Sequence, residues 1–130
     1  MAAAPAFAAT PRIGAVSVST ANTNRDGTGT IATIITAGAN GTQIREVVLK
    51  ATGDPADSVV TLFLHDGSSY YLFDEVDLGD PAAASNTVTG YRTSVRYDNL
   101  FLPTSWSLRA AITVSLTSGV IMAIALGADL

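Results

Sequence analysis

The chain has 130 residues, 48% of them apolar and only 14% charged, with a net charge of −4 and no cysteine. That length supports one domain with a real core and excludes two comfortable ones, while the missing cysteine excludes disulfides, thiolate metal sites and a cysteine nucleophile. Charge content well under the roughly 25% usual for soluble domains leaves a weakly polar surface, of the kind a partner subunit covers, and seven basic residues scattered without a run give no linear footprint for nucleic acid.

The opening MAAAPAFAATPR lacks a positively charged start and is interrupted by Pro5, so it does not read as a signal peptide. It is Ala/Pro-rich and aperiodic, which predicts an extended arm over residues 1–12 before a single domain over 13–130. No apolar run reaches the ~18 residues of a membrane-spanning helix.

From Ile13 onward the pattern is that of strands. IGAVSVS (13–19) alternates, and TIATIIT (30–36) is rich in the β-branched residues that suit a pleated surface. AGANG (37–41) supplies a turn, and TQIREVVLKA (42–51) alternates well before TGDPAD breaks it at Pro55. SVVTLFLH and YYLFDEVDL, within 58–78, read as a hairpin around Asp66-Gly67, a favoured turn pair. GDPAAASN is a loop. TVTGYRTSVRY (87–97) reads as a strand with Gly90 as a bulge, and DNLFLPTS (98–105) as a connection that tucks Phe101 and Leu102 under a sheet. WSLRAAITVSL (106–116), the turn Thr117-Ser118-Gly119 and VIMAIAL (120–126) read as a second hairpin. About eight short strands with no helix predict an all-β antiparallel sandwich, jelly-roll-like, with an immunoglobulin-like sandwich as the alternative.

Five motifs invite chemistry. In TANTNRDGTGT (20–30), Asn22, Asn24, Asp26 and Gly27 have the spacing that opens an EF-hand loop. That loop wants Asp first and Glu twelfth; here Asn22 and Thr33 stand there, and the flanks are strands, so the reading is a turn and no metal. His65 beside Asp66 could belong to a hydrolase triad, but no nucleophile signature accompanies it and the pair reads as turn residues. Asp74, Glu75, Asp77 and Asp80 read as a solvated acidic edge that deters stray strand pairing, with Glu75 and Asp77 on one face and Asp74 on the other. Tyr70, Tyr71, Phe73, Tyr91, Tyr97 and Trp106 read as core or interface residues, with a sugar platform as the rival. Asn40-Gly41-Thr42 is a glycosylation acceptor only in a secreted eukaryotic chain. Nothing here calls for a cofactor or for catalysis.

The phrases NTNRDGTG, AGANG and LFLHDG, spread over residues 20–76, resemble a group of small tailed-phage virion proteins. The resemblance implies a virion structural component, most like a head decoration (cement) protein on the capsid surface, made in the host cytoplasm. It implies the major capsid protein as partner, self-association as a homotrimer, and neither nucleic acid nor membrane as ligand. Under that reading the candidate assembly contacts are Phe7 and Arg12 in the arm, Asn22, Asn24, Arg25 and Asp26 in the first loop, and Asn40 in the AGANG turn. The rival readings are a carbohydrate-binding tip domain of a tail fibre or head spike, and a tail or neck component.

Overall fold

The computed structural model describes residues 10–130. The strands are β1 (Thr10–Val18), β2 (Ala32–Thr36), β3 (Thr42–Ala51), β4 (Ser58–His65), β5 (Tyr70–Gly79), β6 (Arg92–Leu102), β7 (Ser107–Ile112) and β8 (Ile121–Asp129). They form two four-stranded antiparallel sheets: sheet A in the order β1-β8-β3-β6 and sheet B in the order β2-β7-β4-β5. The expected β-sandwich is present.

The core between the sheets follows from period-2 alternation. Val47, Leu49 and Ala51 of β3 and Ile121, Ala123 and Ala125 of β8 meet Val60 and Leu62 of β4 and Leu108, Ala110 and Ile112 of β7. Tyr91, Tyr97 and Trp106 pack against this core as expected. Among the described residues no buried side-chain nitrogen or oxygen lacks a hydrogen-bond partner, and no helix is long and apolar enough to cross a membrane.

Pairing is nested. β4 pairs with β5, β3 with β6, β2 with β7 and β1 with β8, as if one long antiparallel ribbon had been rolled into two layers. The β4–β5 hairpin is closed by Asp66, whose amide donates to Ser69 O (3.2 Å) and whose Oδ1 accepts from the amides of Ser68 (2.9 Å) and Ser69 (2.8 Å). Those donors, with the Tyr71 hydroxyl, hold the Asp66 carboxyl well below the usual carboxylate range.

Three expectations are corrected. Residues 10–12 belong to β1 rather than to an arm, because Thr10 already pairs with Asp129; residues 1–9, Phe7 among them, lie outside the described residues. The strand expected over 87–97 starts at Arg92 and runs through 98–102, so Leu102 enters the core while Phe101 stays exposed. The segment before it is a loop, where Gly90 lies hard against Ala51 O and Ser85 N donates to Val88 O (2.9 Å) instead of joining a ladder. Finally, β7 and β8 are not a hairpin. They lie in opposite sheets, and the chain between them crosses the sandwich, held where Asp54 N donates to Ser118 O (3.0 Å).

Candidate functional site: the outer face of sheet A

The two outer faces of the sandwich are treated differently. On sheet B, Thr61 and Phe63 of β4 and Ala111 of β7 point away from the core, yet Thr61 and Phe63 are 0% exposed. Their cover is the TANTNRDGTGT loop. It leaves the end of β1, where Ala21 bridges Ile112, and crosses toward β5, where Arg25 pairs with Glu75 and Gly27 sits against the Tyr70 ring.

Asn22 organises that loop. It is 5% exposed, and its Nδ2 donates to the carbonyls of Thr28 (2.9 Å) and Thr30 (3.0 Å). Its Oδ1 accepts from Asn24 N–H (3.0 Å), and its own amide donates to Ile112 O (2.8 Å). Asp26 Oδ1 accepts from both the amide and the hydroxyl of Thr28, which lowers its pKa, and Asn24 Nδ2 donates to Thr28 Oγ1 (2.9 Å). Asn22 Oδ1 and Asp26 Oδ1, which an EF-hand would aim at a cation, are therefore turned onto the loop's own donors. Gly27 and Gly29 adopt φ of 91° and 86°, where a side chain would also collide with Tyr70 and Asn22. Among the described residues no group of three His, Asp or Glu is placed to hold a metal ion.

The other candidate contacts scatter. Arg12 is engaged internally: Nη1 donates to both Asp129 oxygens (3.0 and 3.1 Å) and Nη2 to Thr36 O (3.0 Å), tying sheet A to sheet B. The Thr42 hydroxyl donates to the same carboxylate (2.6 Å), and with Arg12 it holds the Asp129 pKa below its usual value. Asn40 is exposed in the β2–β3 turn, at the end of the sandwich opposite the start of the Asn22 loop, so the two loops do not form one contact end. His65 Nδ1 accepts from Gly67 N–H (3.2 Å), so His65 and Asp66 each serve the turn. The aromatics divide into separate pairs: Tyr71 stacks on Trp106 (5.9 Å) and gives its hydroxyl to Asp66, and Phe73 meets Tyr97 (5.2 Å), whose hydroxyl donates to Asp74 (2.9 Å). Burial and that bond raise the Tyr97 pKa.

Sheet A is the face that sequence reasoning missed. Across β1, β8, β3 and β6 the outward rows run Ser17–Met122–Lys50–Arg92, Ala15–Ile124–Val48–Ser94, Ile13–Leu126–Glu46–Arg96 and Pro11–Ala128–Gln43–Phe101. The β1–β8 half carries no charge, and Ile13 is 68% exposed. The β3–β6 half carries Lys50, Arg92 and Arg96. Arg45 joins them because it is the extra residue of a bulge against β8, which re-aims its side chain. Arg45 and Arg96 flank a groove of about 460 Å³ floored by Pro11, Leu126 and Ala128, with Glu46 at its side. Arg96 stands 3.7 Å from Glu46 and is 84% exposed, a loose surface pair.

One signal for this face was present in the sequence. In β8, IMAIALGAD is apolar in both phases, whereas a strand with one wet face should alternate. The scattered arginines carried no such signal, since only strand order brings them together.

Compared with protein-family models, curated proteins and solved structures, the chain matches none.

Proposed function

We propose that this chain is a structural component of a tailed-phage particle: a head decoration protein that binds the major capsid protein, works as an oligomer, most simply a homotrimer, and sits on the virion surface. The observation that carries the reading is the contrast between the two outer faces. The described residues cover sheet B with one of their own loops and leave on sheet A a half-apolar, half-cationic surface suited to protein contact. The phrases NTNRDGTG, AGANG and LFLHDG supply the phage context. Nested strand pairing favours the jelly-roll form of the sandwich, since the immunoglobulin order keeps its first two strands in one sheet and here β1 and β2 are separated. Interspersed carboxylates and an apolar half make the face unlike a nucleic-acid stripe.

The test is co-sedimentation of the purified chain with expanded heads of the same phage. Saturable binding that raises the temperature at which the heads rupture is expected. Absence of binding to heads, together with selective retention on a glycan array, would instead establish the carbohydrate-binding tip domain.

A further inference from the structure

We propose that the outer face of sheet A receives the β5 flank of a second copy of this chain, head to tail. The inference rests on the reading of that face as a protein-docking surface, and it names the occupant.

Charge points to the partner. The face carries Arg45, Lys50, Arg92 and Arg96 against Glu46 and, in a neighbouring pocket that Arg45 and Arg96 also line, Asp98, a net of +2. The whole chain is −4, so the remainder is −6. Part of that remainder is gathered on β5 and just after it, where Asp74, Asp77 and Asp80, with Glu75 beside its partner Arg25, flank the exposed side chains of Tyr71, Leu72 and Phe73. Each molecule therefore carries an apolar surface beside cations and an apolar strip beside carboxylates. A twofold contact of the face with itself would set the cations on cations or on the apolar half, without the carboxylates that head-to-tail docking brings to them.

Strand geometry selects the manner of contact. β5 is the edge of sheet B, and its register against β4 shifts at Ser58/Val59 and again at Leu62/Phe63. Such an edge does not extend a sheet, so it meets the neighbour through side chains. The receiving β1–β8 pair runs in unbroken register over its whole length and offers a regular floor for Leu72 and Phe73. Four strands about 4.8 Å apart, over about seven residues at about 3.4 Å each, give a face of roughly 450 Å². That is below the ~800 Å² per partner of a stable interface, so single contacts are weak and gain strength when copies are held side by side on a lattice.

The experiment measures the solution mass of the full chain by light scattering up to millimolar concentration. Mass should rise with concentration above the 13.3 kDa monomer, and the rise should shrink in high salt. A face variant, R45E/R96E, and a flank variant, L72K/D80K, alter side chains that make no internal hydrogen bond. Each alone should remain monomeric with near-wild-type melting, and an equimolar mixture should form a one-to-one dimer that grows no further, because one intact face then meets one intact flank. If the face variant unfolds, I13K replaces it. A wild-type chain that stays monomeric at every concentration overturns the proposal. So does a flank variant that still self-associates, or a mixture that stays monomeric. Association without binding to heads refutes only the decoration reading, and binding to heads by a strict monomer refutes this one and the homotrimer while leaving the capsid contact standing.

Discussion

Asn22→Asp separates the two meanings of the first loop in one protein. Asp is the residue a calcium loop wants at its first position, and it has the shape of Asn. In the structure Asn22 is nearly buried, and its two amide hydrogens go to Thr28 O and Thr30 O. The substitution keeps the acceptor used by Asn24 N–H but sets a carboxylate oxygen against two carbonyl oxygens. Two hydrogen bonds at about 1 kcal/mol each, plus a further ~1 kcal/mol or more for carbonyls left unsatisfied, come to roughly 3 kcal/mol. For a chain of this size that is a fall in Tm of roughly 10 °C, within a total stability of about 5–15 kcal/mol. Urea unfolding followed by Trp106 fluorescence reads the loss, and binding of a hydrophobic dye reads the uncovering of Phe63. The sign with pH is also set. Burial against carbonyls raises the new carboxyl's folded-state pKa, so the variant is closest to wild type in acid, where that group is protonated, and loses stability as pH rises through the raised value. A loss below about 0.5 kcal/mol would refute the account of Asn22, since that is less than one net hydrogen bond. So would a variant whose Tm climbs by several degrees when calcium is added.

Two further outcomes follow from the packing. Asp129→Asn should lower stability at neutral pH and flatten the acid limb of a Tm–pH profile: the carboxyl's folded pKa is depressed by Thr42 and Arg12, so its contribution is present above the ordinary value of 3.8 and is lost as pH falls through the folded one. Gly14→Ala should cost about 1–3 kcal/mol in chemical denaturation, because the added methyl collides with the Ile34 carbonyl and the Ile35 side chain where β1 closes onto β2.

Local chemistry made some of this fold readable in advance. β3 could be bounded from its alternation and the breaker after it, and the β4–β5 hairpin from Asp66-Gly67, since both signals lie within a few residues. β6 was misplaced because Thr87, Val88 and Thr89 have strand propensity, whereas Gly90 closed up against Ala51 O belongs to tertiary packing. Thr117-Ser118-Gly119 has the chemistry of a hairpin turn and serves a crossing between sheets; Gly119 takes φ of 71° while lying against Gly53 of another loop. Among the candidate assembly contacts, Asn22 and Arg12 are polar residues at a loop and near the chain's start, and nothing in the sequence pattern tells that both are engaged inside the molecule. The sheet A face was hidden for the same reason as strand order: neighbours across a sheet are set by pairing between distant segments, and Ile13 meets Leu126 only after the whole chain has turned back on itself.

The nested pairing also sets a timetable. Of the eight strands β1 is made before all the others, and its sheet partner, β8, after all the others. Until then β1 waits with Val16 and Val18 on one side and Ile13 and Ala15 on the other, and with no hydrogen-bonding neighbour within its own sheet. Contacts between such distant segments are slow to form and expose chains to mispairing with one another while they wait. For this molecule, yield in the cell should therefore depend on how quickly the final strand is delivered, and slow codons between β6 and β8 would lengthen the period in which one nascent chain can capture the first strand of another.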